Sequence, residues 1–297
     1  MFYALSYSAH THQPLNAELL FILAVSTMIL IFFYFIERRV EEPMIPLDLF
    51  HLSLYRTSTF VATLAAMGVF GAISYLPLYL QGVLGMSASG AGLILLLLSL
   101  GWTAGSLIAG HSINQLGYRS VAGTGMVCMA VGFGIFVVTG HPVSLLSVLI
   151  ASLLIGLGMG TSNLTTLVAA QNAVPIRRIG VATSTLILFR AFGGAFCISL
   201  MGTVLLSRMQ QGLAKLGSGL SATLRDKVAN PQNLLEPATR AAIPSEFLPQ
   251  LIHLLADSIW YAFLTALLLM IIGCVVSARM GSYTPANTPR PDGKPSR

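Results

Sequence analysis

Charge is what this sequence has least of. Only 9% of its 297 residues are Asp, Glu, Lys or Arg, against about 25% in ordinary soluble domains, and 55% are hydrophobic. That shortage excludes a soluble globular chain and points to an all-α integral membrane protein, with the lipid bilayer as its surroundings. Cysteine is nearly as rare. Cys128, Cys197 and Cys274 all sit inside apolar runs without ligand spacing, and they read as small packing residues with no disulfide role. No histidine falls within an apolar run, and no carboxylate does either, since Asp257 only borders the last one. The chain therefore offers no buried acid or imidazole of the kind a proton relay uses. Paired carboxylates, a metal-ligand cluster and a phosphate-cradling glycine loop are missing too, so no enzyme activity, metal or cofactor is expected. The net charge of +6 comes from basic residues scattered singly between apolar runs, without a basic face or interleaved aromatics. That pattern argues against nucleic acid as a partner and for charges that orient a chain in a bilayer.

What the sequence does have is long apolar runs. Seven are long enough to span: 19–36, 60–80, 91–110, 121–139, 145–170, 181–206 and 259–278. Residues 1–18 read as an external lead, with no basic stretch or cleavage site of a signal peptide. Residues 37–59 read as a cytoplasmic linker, in which Leu47, Phe50 and Leu54 at helical spacing predict a short helix lying in the interface. The segment 207–258 is a long external loop, with Leu213, Leu216, Leu220 and Leu224 spaced for an amphipathic surface helix. The tail, 279–297, is rich in Pro, Ser, Thr and Gly and reads as disordered.

Orientation follows from the basic residues. Segments 37–59, 111–120, 175–180 and the tail hold Arg38, Arg39, Arg56, Arg119, Arg177, Arg178, Arg279, Arg290, Lys294 and Arg297, whereas 1–18, 81–90 and 140–144 hold no Lys or Arg. The C-terminus is therefore expected in the cytoplasm and, with seven spans, the N-terminus outside. An external start without a signal suits a chain that once continued upstream.

One cation breaks the apolar pattern. Arg190 lies ten residues into the run that opens at Gly180, hence about 15 Å deep in a hydrocarbon core about 30 Å thick. Inserting it costs roughly 2.5 kcal/mol or more, so it needs a partner or a wet cavity. Thr183, Gly194 and Cys197 share its helix face, which is small or polar and should look into a bundle. Two readings fit: a cavity cation that binds substrate or exchanges partners, and a structural clamp onto carbonyls or amides of a neighbouring helix. Tyr75, next to Pro77, is deep enough for a cavity, while Tyr79 suits an interfacial aromatic belt better. Asn163, with Thr165 and Thr166, suits interhelical hydrogen bonding or ligand contact, and Trp102 is core or cavity. Gly101 with Gly105, Gly156 with Gly160, and the pair Gly193 and Gly194 have spacings that let helices approach closely.

Four stretches carry a family resemblance. They are Glu41-Glu42-Pro43-Met44-Ile45-Pro46-Leu47-Asp48-Leu49-Phe50, Tyr75-Leu76-Pro77-Leu78-Tyr79-Leu80-Gln81, Gln171-Asn172-Ala173-Val174-Pro175, and Gly180-Val181-Ala182-Thr183-Ser184 continuing through Phe189-Arg190 to Gly193-Gly194. Together they resemble the fourteen-helix drug:proton antiporters of the major facilitator superfamily. Gly110, Asn114, Gly117 and Arg119 look like that superfamily's cytoplasmic loop signature, with Asn114 in place of the usual aspartate and Gln115 in place of a usual arginine.

The resemblance covers about residues 1–280 and only the C-terminal half of such a protein. It implies an extra central helix followed by a six-helix bundle built as two inverted three-helix repeats. It further implies a bacterial inner-membrane efflux permease working by alternating access on a small hydrophobic or cationic substrate. Arg190, Tyr75, Trp102, Asn163 and Thr183 are then the cavity candidates. Gly110, Asn114, Gly117, Arg119, Gln171 and Asn172 are the cytoplasmic gate candidates. The acidic proton site belongs to the N-terminal half, so this chain is expected to need a separately encoded partner half. The competing expectation is a truncated or split-gene interaction subunit that does not itself transport.

Overall fold

The computed structural model describes residues 47–140, 143–215, 228–235, 243–244 and 247–288, with positions 24, 25, 27, 28 and 32 of the first apolar run. That run as a crossing helix, most of the linker, Leu216, Leu220, Leu224 and the last nine residues lie outside the described set. Five long helices make up the rest: α1 Ser53–Gly82, α2 Ala88–Val138, α3 Leu145–Asn172, α4 Ile179–Lys215 and α5 Leu248–Ala278. Each is apolar and long enough to cross a bilayer, and no strand occurs among the described residues. Serine caps start two of them. Ser87 Oγ accepts from Gly90 N at 3.1 Å ahead of α2, and Ser144 Oγ from Ser147 N at 3.2 Å ahead of α3.

With 51 residues, α2 would be about 77 Å long if straight, more than twice a hydrocarbon core. It is not straight. Gly117 has φ 76° and ψ 167°, a conformation open to glycine and strained for any other residue, and the chain turns back there. The contacts of α3 reveal the reversal. Going up the first arm, Leu98, Trp102 and Ser106 meet Gly156 and then Gly160, so the two run parallel. On the second arm, Gly125 meets Gly158 while Gly132 meets Ala151 and Ile155, so those two run antiparallel. Helix α3 is thus sandwiched between the arms of a hairpin.

Helix α1 touches every other long helix. Tyr55, Val61, Ala65, Val69 and Leu76 are fully or almost fully buried along its length. Its C-terminal end closes on an aromatic cluster in which Phe136 and Phe263 approach to 4.8 Å between ring centroids, with Tyr79 6.0 Å from Phe136.

Several boundaries differ from the sequence reading, each for a physical reason. Apolar runs mark what lipid requires, but a helix continues while its backbone remains paired. Hence α1 begins at Ser53, seven residues before its apolar run, α4 continues to Lys215, and α5 begins at Leu248. Leu213 belongs to the buried face of α4's last turns. In place of an interfacial helix over the linker's end there is one 3-10 turn, Leu47–His51, followed by α1. Leu49 and Leu54 are buried in the bundle, which gives these apolar residues protein instead of lipid to cover them. The tail is ordered as far as Thr288, because Tyr283 and Thr288 dock on the α2 turn.

Candidate functional site

Arg190 sits on α4 with its guanidinium turned to α3. Its Nη2 donates to the Asn163 carbonyl oxygen at 2.9 Å and to Thr166 Oγ1 at 3.0 Å. Thr166 Oγ1 itself donates back to the Ser162 carbonyl at 2.7 Å, which leaves its lone pairs for the arginine. Local sequence builds this receptor. A Thr inside a helix satisfies its hydroxyl on the carbonyl four residues earlier, and Thr165 does the same on Thr161 at 2.6 Å. Asn163 takes part through its backbone carbonyl. The Arg190 Nε is buried and has no partner, so one N–H of the guanidinium is idle in this arrangement. The contact has the geometry of a clamp, one of the two readings the sequence leaves open, and it leaves donor capacity spare.

The remaining cavity candidates do not gather around Arg190. Tyr75 Oη donates to the Ile198 carbonyl at 2.7 Å and lies against Gly202, tying α1 to α4 two turns further along from Arg190. Trp102, half-buried on the first arm of α2, packs its backbone on Gly160 of α3. Thr183 Oγ1 accepts from Gln171 Nε2 at 3.1 Å, bridging the end of α3 to the start of α4. Tyr79, expected at the interfacial belt, is instead fully buried. Its Oη accepts from Val143 N at 3.1 Å, because the α2–α3 connection folds over it and supplies the donor that water would have given.

The gate candidates divide into two groups. Gly117, Asn172 and the tail converge on Tyr118: Asn172 Nδ2 donates to Tyr118 Oη at 2.8 Å, and Thr288 Oγ1 donates to the same oxygen at 3.4 Å. Tyr118 N donates to the Tyr283 carbonyl at 3.0 Å. Asn114 and Arg119 are exposed around this knot, and Gly110 lies further back on the first arm, near Leu164. At the same end, Arg178 pairs with Asp48 on the surface, bringing the linker against the turn after α3. Phe50 follows, its ring edge-on to Tyr55 and tilted to Phe189, each at 5.4 Å between centroids.

The packing glycines lie where helices touch. A Cβ on Gly101 would fall 2.8 Å from the Leu153 carbonyl oxygen, and one on Gly160 2.7 Å from Ser106 N. Gly105 and Gly156 would collide with the carbonyls of Leu157 and Leu98. Gly193 faces the Thr63 carbonyl at 3.0 Å and Gly194 the Phe70 ring. Sequence reasoning missed Tyr55, whose Oη donates to the Ala182 carbonyl at 3.1 Å, and Tyr118, Tyr283 and Thr288. Tyr118 had one signal, its place beside the turn glycine. The tail residues had none, since their partner is about 165 residues away.

This is a multi-pass membrane bundle in which polar tethers, a half-buried arginine among them, and backbone-close glycine contacts join long helices. The profile of the Major Facilitator Superfamily matches residues 13–198, and the chain belongs to that family, one of transporters rather than enzymes. Among its relatives, the multidrug transporter protein MdtP of Bacillus subtilis is 28% identical, over 92% of this chain and 54% of its own. Multidrug resistance protein 3 of the same organism is 26% identical, over 95% and 56% respectively. The drug efflux pump JefA of Mycobacterium tuberculosis is 30% identical over 66% of this chain. The chain thus spans about half the length, or less, of these curated relatives. In fold it is similar to a bacterial homolog of the human lysosomal transporter Spinster in its inward-facing, occupied conformation. That match has a TM-score of 0.61 and 17% identity, over 79% of this chain and 51% of the other.

Proposed function

We propose that this chain supplies the C-terminal half of a multidrug efflux permease that works by alternating access in the bacterial inner membrane. On this reading the 19–36 run is a central crossing helix. The arms of α2, with α1, α3, α4 and α5, make a six-helix bundle of two inverted three-helix repeats. The N-terminus is outside and the C-terminus cytoplasmic.

The observation that carries the reading is Arg190: a cation within an apolar span, held by a carbonyl and a hydroxyl, with a third N–H left over. Such a group has somewhere to go when the helices shift, and it favours a path wet enough to solvate it. Its substrate would be a small hydrophobic or cationic compound bound between this bundle and a partner half. A cationic substrate would be held by that partner's anionic groups, with Arg190 kept off it by the clamp. The proton carrier also falls to the partner half. The carboxylates among the described residues here, Asp48 and Asp257, are exposed, and Asp48 is already paired with Arg178.

The test is a chimera in which this chain replaces the matching half of MdtP, assayed for extrusion of a cationic dye from cells. Dye efflux should return in the chimera, be missing for the chain expressed alone, and fall at least tenfold in a chimera carrying Arg190→Met. Proton-dependent extrusion by the chain alone would overturn the half-permease reading. A folded, membrane-inserted chimera that moves nothing would overturn the transport reading.

A further inference from the structure

On the outer flank of the bundle, away from Arg190, a cavity of about 500 Å³ opens between the second arm of α2 and the last turns of α5. That is within the roughly 300–1,000 Å³ range of small-molecule sites. Its two ends differ in chemistry. The polar mouth holds Arg119 and Ser120, both exposed and neither with a hydrogen bond or ion pair among the described residues. Arg279 caps α5 one residue past the lining residue Ala278. The inner part, about 13 Å further along the helix, is lined by Val127, Cys128 and Cys274. Val127 is 50% exposed, and the flanking Val131 and Val275 are similarly open, so this end of the groove is unwalled on the side that faces lipid. Gly123 keeps the passage between the two ends open. A Cβ there would reach only Ser277 Oγ, at 3.6 Å, and would stand in the groove.

The charge balance selects the occupant. Among the described residues, Arg56, Arg119, Arg177, Arg178 and Arg279 stand at this end of the bundle, against Asp48, which is paired with Arg178. Asp257 lies about 30 Å away, towards the start of α5. A zwitterionic headgroup would bring a second cation into this field, whereas an anionic one would not. Guanidinium groups bind phosphate oxygens in a fixed fork geometry, and basic pockets between membrane helices are suited to anionic lipid headgroups.

We propose that this groove is a binding site for one anionic phospholipid, its phosphodiester on Arg119 and Ser120 and one acyl chain laid past Gly123 against Val127, Cys128 and Cys274. Arg279 adds to the field without lining the groove. The site is separate from the transport path and does not depend on the half-permease reading.

The experiment uses the full chain in nanodiscs of neutral phosphatidylcholine containing a small fraction of phosphatidylglycerol with a diazirine in its acyl chain. After illumination, cross-linked peptides are mapped by mass spectrometry. Cross-links should concentrate on the stretch around Val127–Cys128 and on the one around Cys274. An otherwise identical photoreactive phosphatidylcholine should give at least fivefold fewer there. Arg119→Ala should reduce the phosphatidylglycerol cross-links about fivefold. Val127→Trp, which fills the groove from an exposed position, should abolish them while leaving the headgroup contact in place. Millimolar inorganic phosphate should not compete, since the acyl chain carries part of the binding. Equal labelling by the two lipids, unchanged labelling in Arg119→Ala, or cross-links spread evenly over the lipid-facing helices would overturn the proposal. Displacement by phosphate alone would do so as well, by reducing the site to an anion contact.

Discussion

Two helix seams in this bundle are built on opposite principles. Where α3 meets the first arm of α2, backbone lies on backbone. Gly101, Gly105, Gly156 and Gly160 leave backbone against backbone at four positions, and the polar link there, Ser106 Oγ to the Gly160 carbonyl, is a long 3.4 Å. Where α4 meets its neighbours, side chains reach across. Tyr55 and Tyr75 donate to carbonyls of α4, and Arg190 donates from α4 to α3. Close packing without side chains has one deep minimum and no alternative partner within reach. Side-chain tethers end on carbonyls, and each carbonyl has equivalents one turn away. The first seam is therefore suited to act as a rigid unit and the second to yield, the mechanical division that the proposed alternating access would use.

The largest effect should come from breaking the rigid seam. In Gly160→Val, the new Cβ would meet the Trp102 carbonyl and Ser106 N, and neither backbone can move aside without separating the helices. Overpacking typically costs about 1–3 kcal/mol and more where the backbone is the obstacle. We expect at least about 3 kcal/mol here, seen as loss of the monodisperse folded species on thermal challenge in detergent. Gly134→Ala is the control. Nothing lies within 4 Å of its Cβ position, and it should leave the melting temperature unchanged or slightly raised.

Next in size is Gly117→Ala. With φ at 76° and ψ at 167°, an L-residue there carries roughly 1–3 kcal/mol of strain, and its Cβ would press on the Tyr283 carbonyl at 2.9 Å. The expected result is a loss of about 2 kcal/mol, together with faster proteolysis of the tail, since Tyr118 N and the Tyr283 carbonyl would no longer meet at 3.0 Å. Unchanged tail protection would mean that the tail is not held by the turn.

How much of this was legible beforehand follows from range. The glycine seam could be read because each half is a local pattern: small residues four apart lie on one helix face, and such faces seek one another. Arg190 could be read from depth alone, and so could its need for a polar partner or a wet cavity, though not which of the two. Its receptor, the Asn163 carbonyl, could not, because every residue has a carbonyl and sequence does not say which one faces α4. Tyr79 was misjudged for a related reason. A tyrosine near a helix end suits an interface equally well until the α2–α3 connection is known to fold over it. The docking of Tyr283 on Tyr118 lay beyond local reasoning altogether. A Pro- and Gly-rich tail has the composition of disorder, and one backbone hydrogen bond plus one hydroxyl contact is enough to overrule composition over a few residues.

A smaller effect is expected from Tyr75→Phe, which removes the donor to the Ile198 carbonyl while keeping the ring against Gly202. Polar contacts between membrane helices average about 0.6 kcal/mol, and a shift of that order in unfolding free energy is expected. Tyr55→Phe should match it. If either approached the cost of Gly160→Val, the tethers would be as rigid as the glycine seam and the contrast between them would fail.

The smallest change in stability should come from the most conspicuous residue. Two hydrogen bonds from a charged donor are worth about 1.5–3 kcal/mol each. Against them stand the roughly 2.5–3.5 kcal/mol of placing an arginine at mid-membrane and a further cost of about 1–3 kcal/mol for the unpartnered Nε. The sum is near zero. Arg190→Met also orphans nothing, because Thr166 Oγ1 keeps its bond to the Ser162 carbonyl. The variant should therefore unfold within about 0.5 kcal/mol of the parent, the near-zero sum of these terms, while losing transport in the chimera. On the proposed function, a guanidinium that contributes so little to holding the bundle together would have its use in what it does when the bundle moves. If Arg190→Met instead unfolded several kcal/mol more easily, Arg190 would be a structural clamp and the yielding seam would lose its one group with a partner to exchange.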